Sequence, residues 1–162
     1  MAANRKRDLI IEDAVLMFTN FEGREERHEG RVMNAKGARN FHVIVPEDIV
    51  EQLIDDGWNV KILAPREEGD EARHMVKVNV SYRFREPDIR VYTNDREYIY
   101  HEDQVANLDY ADIISADVII HPSEYTKDDG TIGLSGYCTE LRVVIESSPF
   151  DKKYADYMRP EE

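Results

Sequence analysis

Aromatic rings stand close to arginine or lysine at several points in the first hundred residues. Rings offer flat faces on which unpaired bases stack, and neighbouring cations contact the phosphates that join those bases. This combination therefore favours a surface that binds single-stranded nucleic acid. The neighbouring residues are Phe18, Phe21 and Arg24; Arg39 and Phe41; Trp58 and Lys61; and Tyr82, Arg83, Phe84 and Arg85.

Each of these rings has a second interpretation as part of the hydrophobic core. Phe41 and Trp58 lie in apolar runs, where core packing is the more common role. Phe18 and Phe21 fit either role. In the alternating run at residues 75–84, Tyr82 and Phe84 continue the apolar face, which leaves Lys77, Arg83 and Arg85 pointing outward as binding candidates.

Residues that could perform catalysis are not arranged for it. The five histidines show no pair at the spacing of metal ligands, and Cys138 is the single cysteine. Glycine-rich phosphate loops and nucleophile motifs are absent from the sequence, and the acidic residues at 67–71 lack the alternation of a calcium loop. We expect no enzymatic activity, no cofactor and no metal site.

Composition argues at first against a polyanionic partner. The 162 residues carry a formal charge of -13, and phosphate binding depends on lysine and arginine. The acid is unevenly spread, however, because residues 1–45 hold eight Lys or Arg against seven Asp or Glu, while the remainder holds 13 against 27. With one cysteine and no long apolar run, we expect a cytoplasmic protein without contact to a membrane.

The hydrophobic pattern predicts mainly short strands. Strands are expected at 9–21, 41–45, 58–63, 75–84, 89–93, 98–100, 118–120 and 137–146. A helix should begin at Pro46 and end before Gly57, and residues 103–108 should form a short helix or a turn that ends near Ala111. Residues 22–38 are charged and contain three glycines, so we expect an exposed, mobile connection. The class is mainly β with helical insertions (α+β), as a barrel or a sandwich.

A series of motifs resembles the single-stranded DNA-binding proteins of tailed phages. They are Phe-x-Asn-Phe-x-Gly at 18–23, Gly-Ala-Arg-Asn-Phe at 37–41, Asp-Gly-Trp-Asn-Val-Lys at 56–61, Pro-Arg-Glu-Glu-Gly-Asp-Glu at 65–71, Leu-Asp-Tyr-Ala-Asp-Ile at 108–113, His-Pro-Ser-Glu-Tyr at 121–125 and the run at 136–146. The resemblance implies an OB-like antiparallel β-barrel over residues 1–150, followed by a charged, flexible tail at 151–162. Carried over by motif, it implies that Phe18, Phe21, Arg24, Arg39 and Arg66 bind DNA, together with Lys61 and Tyr125.

The leading hypothesis is a non-catalytic protein that coats single-stranded DNA during phage replication or recombination. Replication or recombination proteins recruited through the tail, and a second copy of the chain, are further candidate partners. An alternative is an acidic module that presents a DNA-like negative surface to a host enzyme, and acids clustered on one face without a basic groove would favour it. A metal-dependent nuclease that uses carboxylate ligands is a third hypothesis.

Overall fold

The computed structural model describes residues 7–94 and 96–146, and these residues form a mainly β structure. A 3-10 turn at Glu47–Ile49 leads into the α-helix, and a second 3-10 helix covers Val105–Tyr110. The helix is α1 (Val50–Asp56). The strands are β1 (Leu9–Ile11), β2 (Leu16–Asn20), β3 (Glu26–His28), β4 (Arg31–Asn34), β5 (Arg39–Val45), β6 (Val60–Leu63), β7 (Arg73–Val80), β8 (Asp88–Tyr92), β9 (Glu97–Tyr100), β10 (Ile113–Thr126) and β11 (Ile132–Ile145).

Nine of the strands form one mixed sheet. Its main path runs β1-β10-β11-β7-β5-β2, with β6 attached to β7, β8 to β11, and β9 to β8. Strand β11 pairs in parallel with β7 and β8, whereas the other pairings are antiparallel. The predicted class, mainly β with helical insertions, is confirmed. The sheet is not purely antiparallel and is not a closed barrel, so the OB-like antiparallel barrel is not confirmed.

The predicted first strand at 9–21 is divided into β1 and β2. The break includes Asp13, whose φ of 50° departs from strand geometry. Backbone bonds continue across it, since the Ala14 N–H donates to the Ala116 carbonyl at 2.7 Å and the Val15 carbonyl accepts from Ile44 at 3.1 Å. The two ends of the sheet path are therefore consecutive in the chain.

The helix forms where the sequence predicts it. Pro46 precedes its first turn, and Gly57 ends it in a left-handed conformation with φ of 105°. A side chain at Gly57 would also approach the Ile132 carbonyl to 3.2 Å. Val50 and Leu53 face the core. The turn brings the following residue, Trp58, back against the sheet.

Residues that alternate along the central strands build the core on one side of the sheet. Phe41 is fully buried, as are Val43 and Val78 on the same side. Trp58 is 6% exposed and packs so closely that a Cβ at Gly136 would lie 2.9 Å from its ring. Core packing of Phe41 and Trp58 is thus confirmed.

The predicted strand at 75–84 ends earlier than expected. Val80 is the last residue of β7 and lies opposite Arg39, the first residue of β5, so no partner strand extends further. Residues 81–87 form a loop. Tyr82 is partly buried against the core, whereas Phe84 is 95% exposed, so the two rings do not share the core face as predicted.

The expected mobile connection at 22–38 contains a second, two-stranded sheet formed by β3 and β4. Three buried asparagines hold its base. Asn40 Nδ2 donates to Asn34 Oδ1 at 2.7 Å, and Asn20 Oδ1 accepts the backbone N–H of Arg24 at 2.9 Å. We call residues 24–36 the hairpin arm. Most of its residues are exposed, and its attachment to the sheet is fixed by these asparagines.

Candidate nucleic-acid interface

The sheet has a second face, turned away from the core. On β7, Lys77 is exposed between Val76 and Val78, which are 1% and 0% exposed. Strand pairing extends this face sideways, because His42 lies opposite Lys77 and Tyr137 lies beside Asn79. We call it the outer face. Its positions are Met17, Asn40, His42, Ile44, Lys61, Leu63, Arg73, Met75, Lys77, Asn79, His121, Ser123, Tyr125, Gly133, Ser135 and Tyr137.

None of these outer-face positions carries an aspartate or a glutamate. In a chain with a formal charge of -13, the acids must therefore lie elsewhere on the surface. Lysine, arginine and histidine all occur on the outer face. A phosphate that approaches Lys61, Arg73 and Lys77 meets cations that are not paired with a carboxylate among the described residues, whereas His121 is bonded to Asp8 at 2.8 Å.

Three cations of the outer face have no carboxylate partner among the described residues. They are Lys61, Arg73 and Lys77, all exposed. An unpaired cation loses no existing ion pair when it binds a phosphate. Its contribution to binding is therefore not reduced by competition within the protein.

Arg24 and Arg39, by contrast, are both engaged with acidic residues. The Arg24 guanidinium lies 3.3 Å from Asp109, a carboxylate that is 3% exposed. Arg39 donates to Glu102 at 3.1 Å, and its guanidinium carbon lies 5.8 Å from the centre of the Tyr82 ring. Both arginines stabilise local structure in this arrangement. Neither belongs to the outer face.

The two phenylalanines of the first motif have opposite environments. Phe21 is 0% exposed and packs against Phe41 with ring centres 5.3 Å apart, so a base cannot reach it. Phe18 is 58% exposed and meets His42 edge to face at 5.7 Å. We therefore keep Phe18 as a stacking candidate and drop Phe21.

Phe18 also has an unusual backbone conformation. Its φ is 50°, and the pairing of β2 with β5 is irregular between Met17 and Asn20. A bulky residue at positive φ costs on the order of 1 kcal/mol or more, and such strain is concentrated at functional sites. The bulge presents the ring at the border of the outer face, next to His42.

His42 is an outer-face residue that the sequence analysis missed. The pKa of His42 is lowered to about 4, first by burial and then by the nearby charges of Lys61 and Lys77. Its Nδ1 atom is buried and has no hydrogen-bond partner among the described residues. With a pKa of about 4, the ring is neutral at pH 7 and packs edge to face with Phe18. Alternation along β5 could have identified it, since Phe41 and Val43 on either side are core residues.

Tyr125 and Tyr137 supply two more rings on β10 and β11. They are 40% and 39% exposed. Tyr125 lies close to Gly133, where a Cβ would come within 2.7 Å of the ring and of the Lys127 side chain. Tyr125 was expected from the motifs, whereas Tyr137 was overlooked. The alternation of β11 was the available signal, because Tyr137 lies two residues after Ser135 and therefore points to the same side of the sheet.

The remaining predicted cations lie in loops. Arg66 is exposed in the connection between β6 and β7, and Arg83 and Arg85 are exposed in the loop at 81–87. Within the described part of the chain, none of the three has an ion-pair partner. Arg66 borders the outer face at one loop, and Arg83 and Arg85 border it at another. Strand pairing does not place any of the three beside Lys61 or Lys77.

Other kinds of site find little support in the described ranges. Nowhere in residues 7–94 and 96–146 do three His, Cys, Asp or Glu side chains come together in a way that could hold a metal ion. No helix in these ranges is long and apolar enough to cross a membrane. Burial raises the pKa of the Cys138 thiol to about 12, which leaves it unreactive as a nucleophile.

Comparison with known proteins gives one clear result. A family model described as a putative phage ssDNA-binding domain matches residues 1–162, the entire chain. No curated protein matches it. The match across the full length agrees with the order of motifs in the sequence and with the outer face in the structure. The chain belongs to the phage single-stranded DNA-binding domain family.

Proposed function

We propose that this protein coats single-stranded DNA without catalysis during phage replication or recombination, with the strand lying across the outer face. The observation that carries the proposal is that the outward positions of β5, β6 and β7 hold Lys61, Arg73 and Lys77 and no carboxylate, in a strongly acidic chain. Evenly spread acids would repel phosphates from every direction. Here the acids repel phosphates from the rest of the surface, and a polyanion is guided to the outer face.

Binding combines two kinds of contact. Lys61, Arg73 and Lys77 contact phosphates, while Phe18 and Tyr137 stack with bases. Tyr125 adds a third ring next to Lys127. Rings can stack only with bases that are not paired inside a duplex, so the same face favours a single strand over double-stranded DNA.

The sheet order supports an OB-like architecture as part of this proposal. In an OB-fold, a meander of three strands is followed by a parallel contact between the third strand and the last, and the binding face lies on the second and third strands. Here β5 and β7 take those central positions, and β7 pairs in parallel with β11. The hairpin arm precedes β5, and the turn between β10 and β11 lies beside Tyr125.

The first test is a fluorescence-anisotropy titration of labelled single-stranded and duplex oligonucleotides. Wild-type protein is expected to bind the single strand with an affinity that falls as salt rises, and to bind the duplex much more weakly. Lys77→Ala should weaken binding about three- to tenfold, and Lys61→Ala with Lys77→Ala should weaken it further. Absence of binding at low salt would overturn the proposal and favour the acidic partner-binding module.

Arg90→Ala is the matched control for loss of one positive charge. Arg90 lies on β8, paired with Asp88 at 3.1 Å and Glu97 at 3.5 Å, and not on the outer face. Its replacement should leave DNA affinity within about twofold of wild type. Equal losses for Arg90→Ala and Lys77→Ala would show that only total charge matters, and the outer face would then have no special role.

Stacking is tested separately with Phe18→Ala. The ring is exposed, so the variant should remain folded, and DNA affinity should fall by the equivalent of about 1–3 kcal/mol without a change in salt dependence. Residues 151–162, proposed as a tail that recruits replication or recombination proteins, lie outside the described residues.

A further inference from the structure

A cavity of about 830 Å³ opens where the loop at 81–87 approaches the outward side of β10 and β11. Three of its lining residues, His121, Ser123 and Tyr137, are also outer-face positions, so it continues the proposed path of the DNA. The loop contributes Phe84, Arg85 and Glu86 to the opposite wall. The cavity is large enough for a nucleobase with its sugar.

Two aromatic side chains line this cavity. Phe84 is 95% exposed, although a phenyl ring is normally buried, and Tyr137 is 39% exposed. Solvent-exposed rings at the mouth of a cavity provide apolar faces that the described residues leave uncovered. A planar base inserted here would cover both faces and remove apolar surface from water.

The polar atoms of the walls are mainly hydrogen-bond acceptors. Asp8 Oδ1 is bonded to His121 at 2.8 Å, Glu86 Oε2 to His101 at 2.7 Å, and Glu140 Oε1 to Arg142 at 3.0 Å. Within the described ranges, each carboxylate keeps its second oxygen without a partner. These oxygens repel a phosphate but accept hydrogen bonds from the amino groups of a base.

The walls also contain a separate position for the phosphate. Arg85 lines the cavity, and Arg83 is exposed two residues away on the same loop. Among the described residues, neither has an ion-pair partner. A base could therefore enter the cavity while the phosphate attached to its sugar stays at the rim, beside the arginines.

We propose that this cavity is a nucleobase pocket, selective for bases that carry an exocyclic amino group. The inference rests on the proposed function, because it adds a base-reading position to the same DNA path. Cytosine presents an amino group to the carboxylate oxygens. Uracil and thymine present carbonyl oxygens at the equivalent positions, which the carboxylates repel. The protein consequently prefers cytosine tracts to uracil or thymine tracts.

The test compares deoxycytidine and deoxyuridine oligonucleotides of equal length in anisotropy titrations at one salt concentration. The two tracts carry the same charge and differ only in the hydrogen-bonding edge of the base. Wild-type protein is expected to bind the cytosine tract about fivefold more tightly, or better. Phe84→Ala and Glu86→Gln should each reduce this ratio towards one. Phe84 is almost fully exposed, so its loss should not affect folding.

Lys77→Ala is the control, since it should weaken binding to both tracts and keep their ratio. Salt-sensitive binding to both tracts with equal affinity would overturn the pocket and leave the proposed function intact. A preference that persists unchanged in Phe84→Ala and Glu86→Gln would also overturn it. Failure to bind either tract would overturn the pocket together with the proposed function.

Discussion

At the scale of single residues, burial and ion pairing decide which members of the sequence motifs can contact DNA. Phe18 and Phe21 are three positions apart, and their exposed fractions are 58% and 0%. Arg24 is held by Asp109, whereas Lys77 has no ion-pair partner in the described part of the chain. The sequence supplies suitable residue types, but contacts made over long sequence distances select among them.

His42 gives a prediction about acid stability. Its pKa is lowered to about 4, first by burial and then by Lys61 and Lys77, so the folded state takes up a proton less readily than the unfolded chain. The stability that follows from the neutral ring is present above pH 6.5 and is lost as pH falls towards 4. Between pH 7 and pH 4.5, this residue should account for a loss of about 2 kcal/mol.

Urea unfolding of wild type and His42→Gln at both pH values measures the effect. The variant removes the titrating ring, so its free energy of unfolding should fall less on acidification, by about 2 kcal/mol. The carboxylates titrate in both proteins and cancel in the comparison. Equal losses in the two proteins would show that His42 is protonated without cost.

At the scale of elements, the sequence predicts the type of each segment, helix or strand, more accurately than the residue at which the segment ends. The helix at α1 follows from Pro46, its apolar spacing and Gly57, all of which are local signals. The end of β7 at Val80 depends on the start of its partner β5 at Arg39, and no local signal encodes that. The sequence predicts a mobile connection where the hairpin arm lies, because two residues that anchor the arm, Asn20 and Asn40, are outside it.

Asn34 is expected to hold the hairpin arm to the sheet. Its side-chain amide donates to the Arg24 carbonyl at 2.8 Å and to the Ala38 carbonyl at 3.0 Å, and its oxygen accepts from Asn40. Asn34→Ala removes these three bonds, although Asn20 still donates to the Arg24 carbonyl at 3.0 Å, and should cost about 1–3 kcal/mol of unfolding free energy.

Hydrogen exchange locates the effect of that substitution. Amide protons of β3 and β4 should exchange faster in Asn34→Ala. The exchange of those in β10 and β11 should change only as much as the global free energy of unfolding changes. Asn59→Ala is the control, because Asn59 is exposed and should tolerate replacement within about 0.5 kcal/mol. Uniform exchange changes across the sheet would show that the arm does not open independently.

At the scale of the whole molecule, the charge of -13 and the affinity for DNA are compatible because of where the charges lie. Sequence order shows a first third that is nearly balanced and a remainder that is acidic. It does not show that Lys61, Lys77 and Arg73 share one side of the sheet, on neighbouring strands whose outward positions carry no carboxylate. That arrangement depends on strand register, and a shift of one residue would turn these cations towards the core.

The salt dependence of binding reports on this arrangement directly. Each phosphate neutralised on a single strand contributes about 0.7 to the slope of log affinity against log salt concentration. If Lys61 and Lys77 each contact one phosphate, their joint replacement by alanine should lower the magnitude of the slope by about 1.4.

Arg90→Ala, which removes a paired cation away from the outer face, should leave the slope unchanged. Titrations at about 50 to 300 mM salt, where the affinity falls steeply with salt concentration, provide the slopes. Parallel lines for wild type and the double variant would mean that neither lysine contacts a phosphate, and the DNA would then have to follow a path other than the outer face.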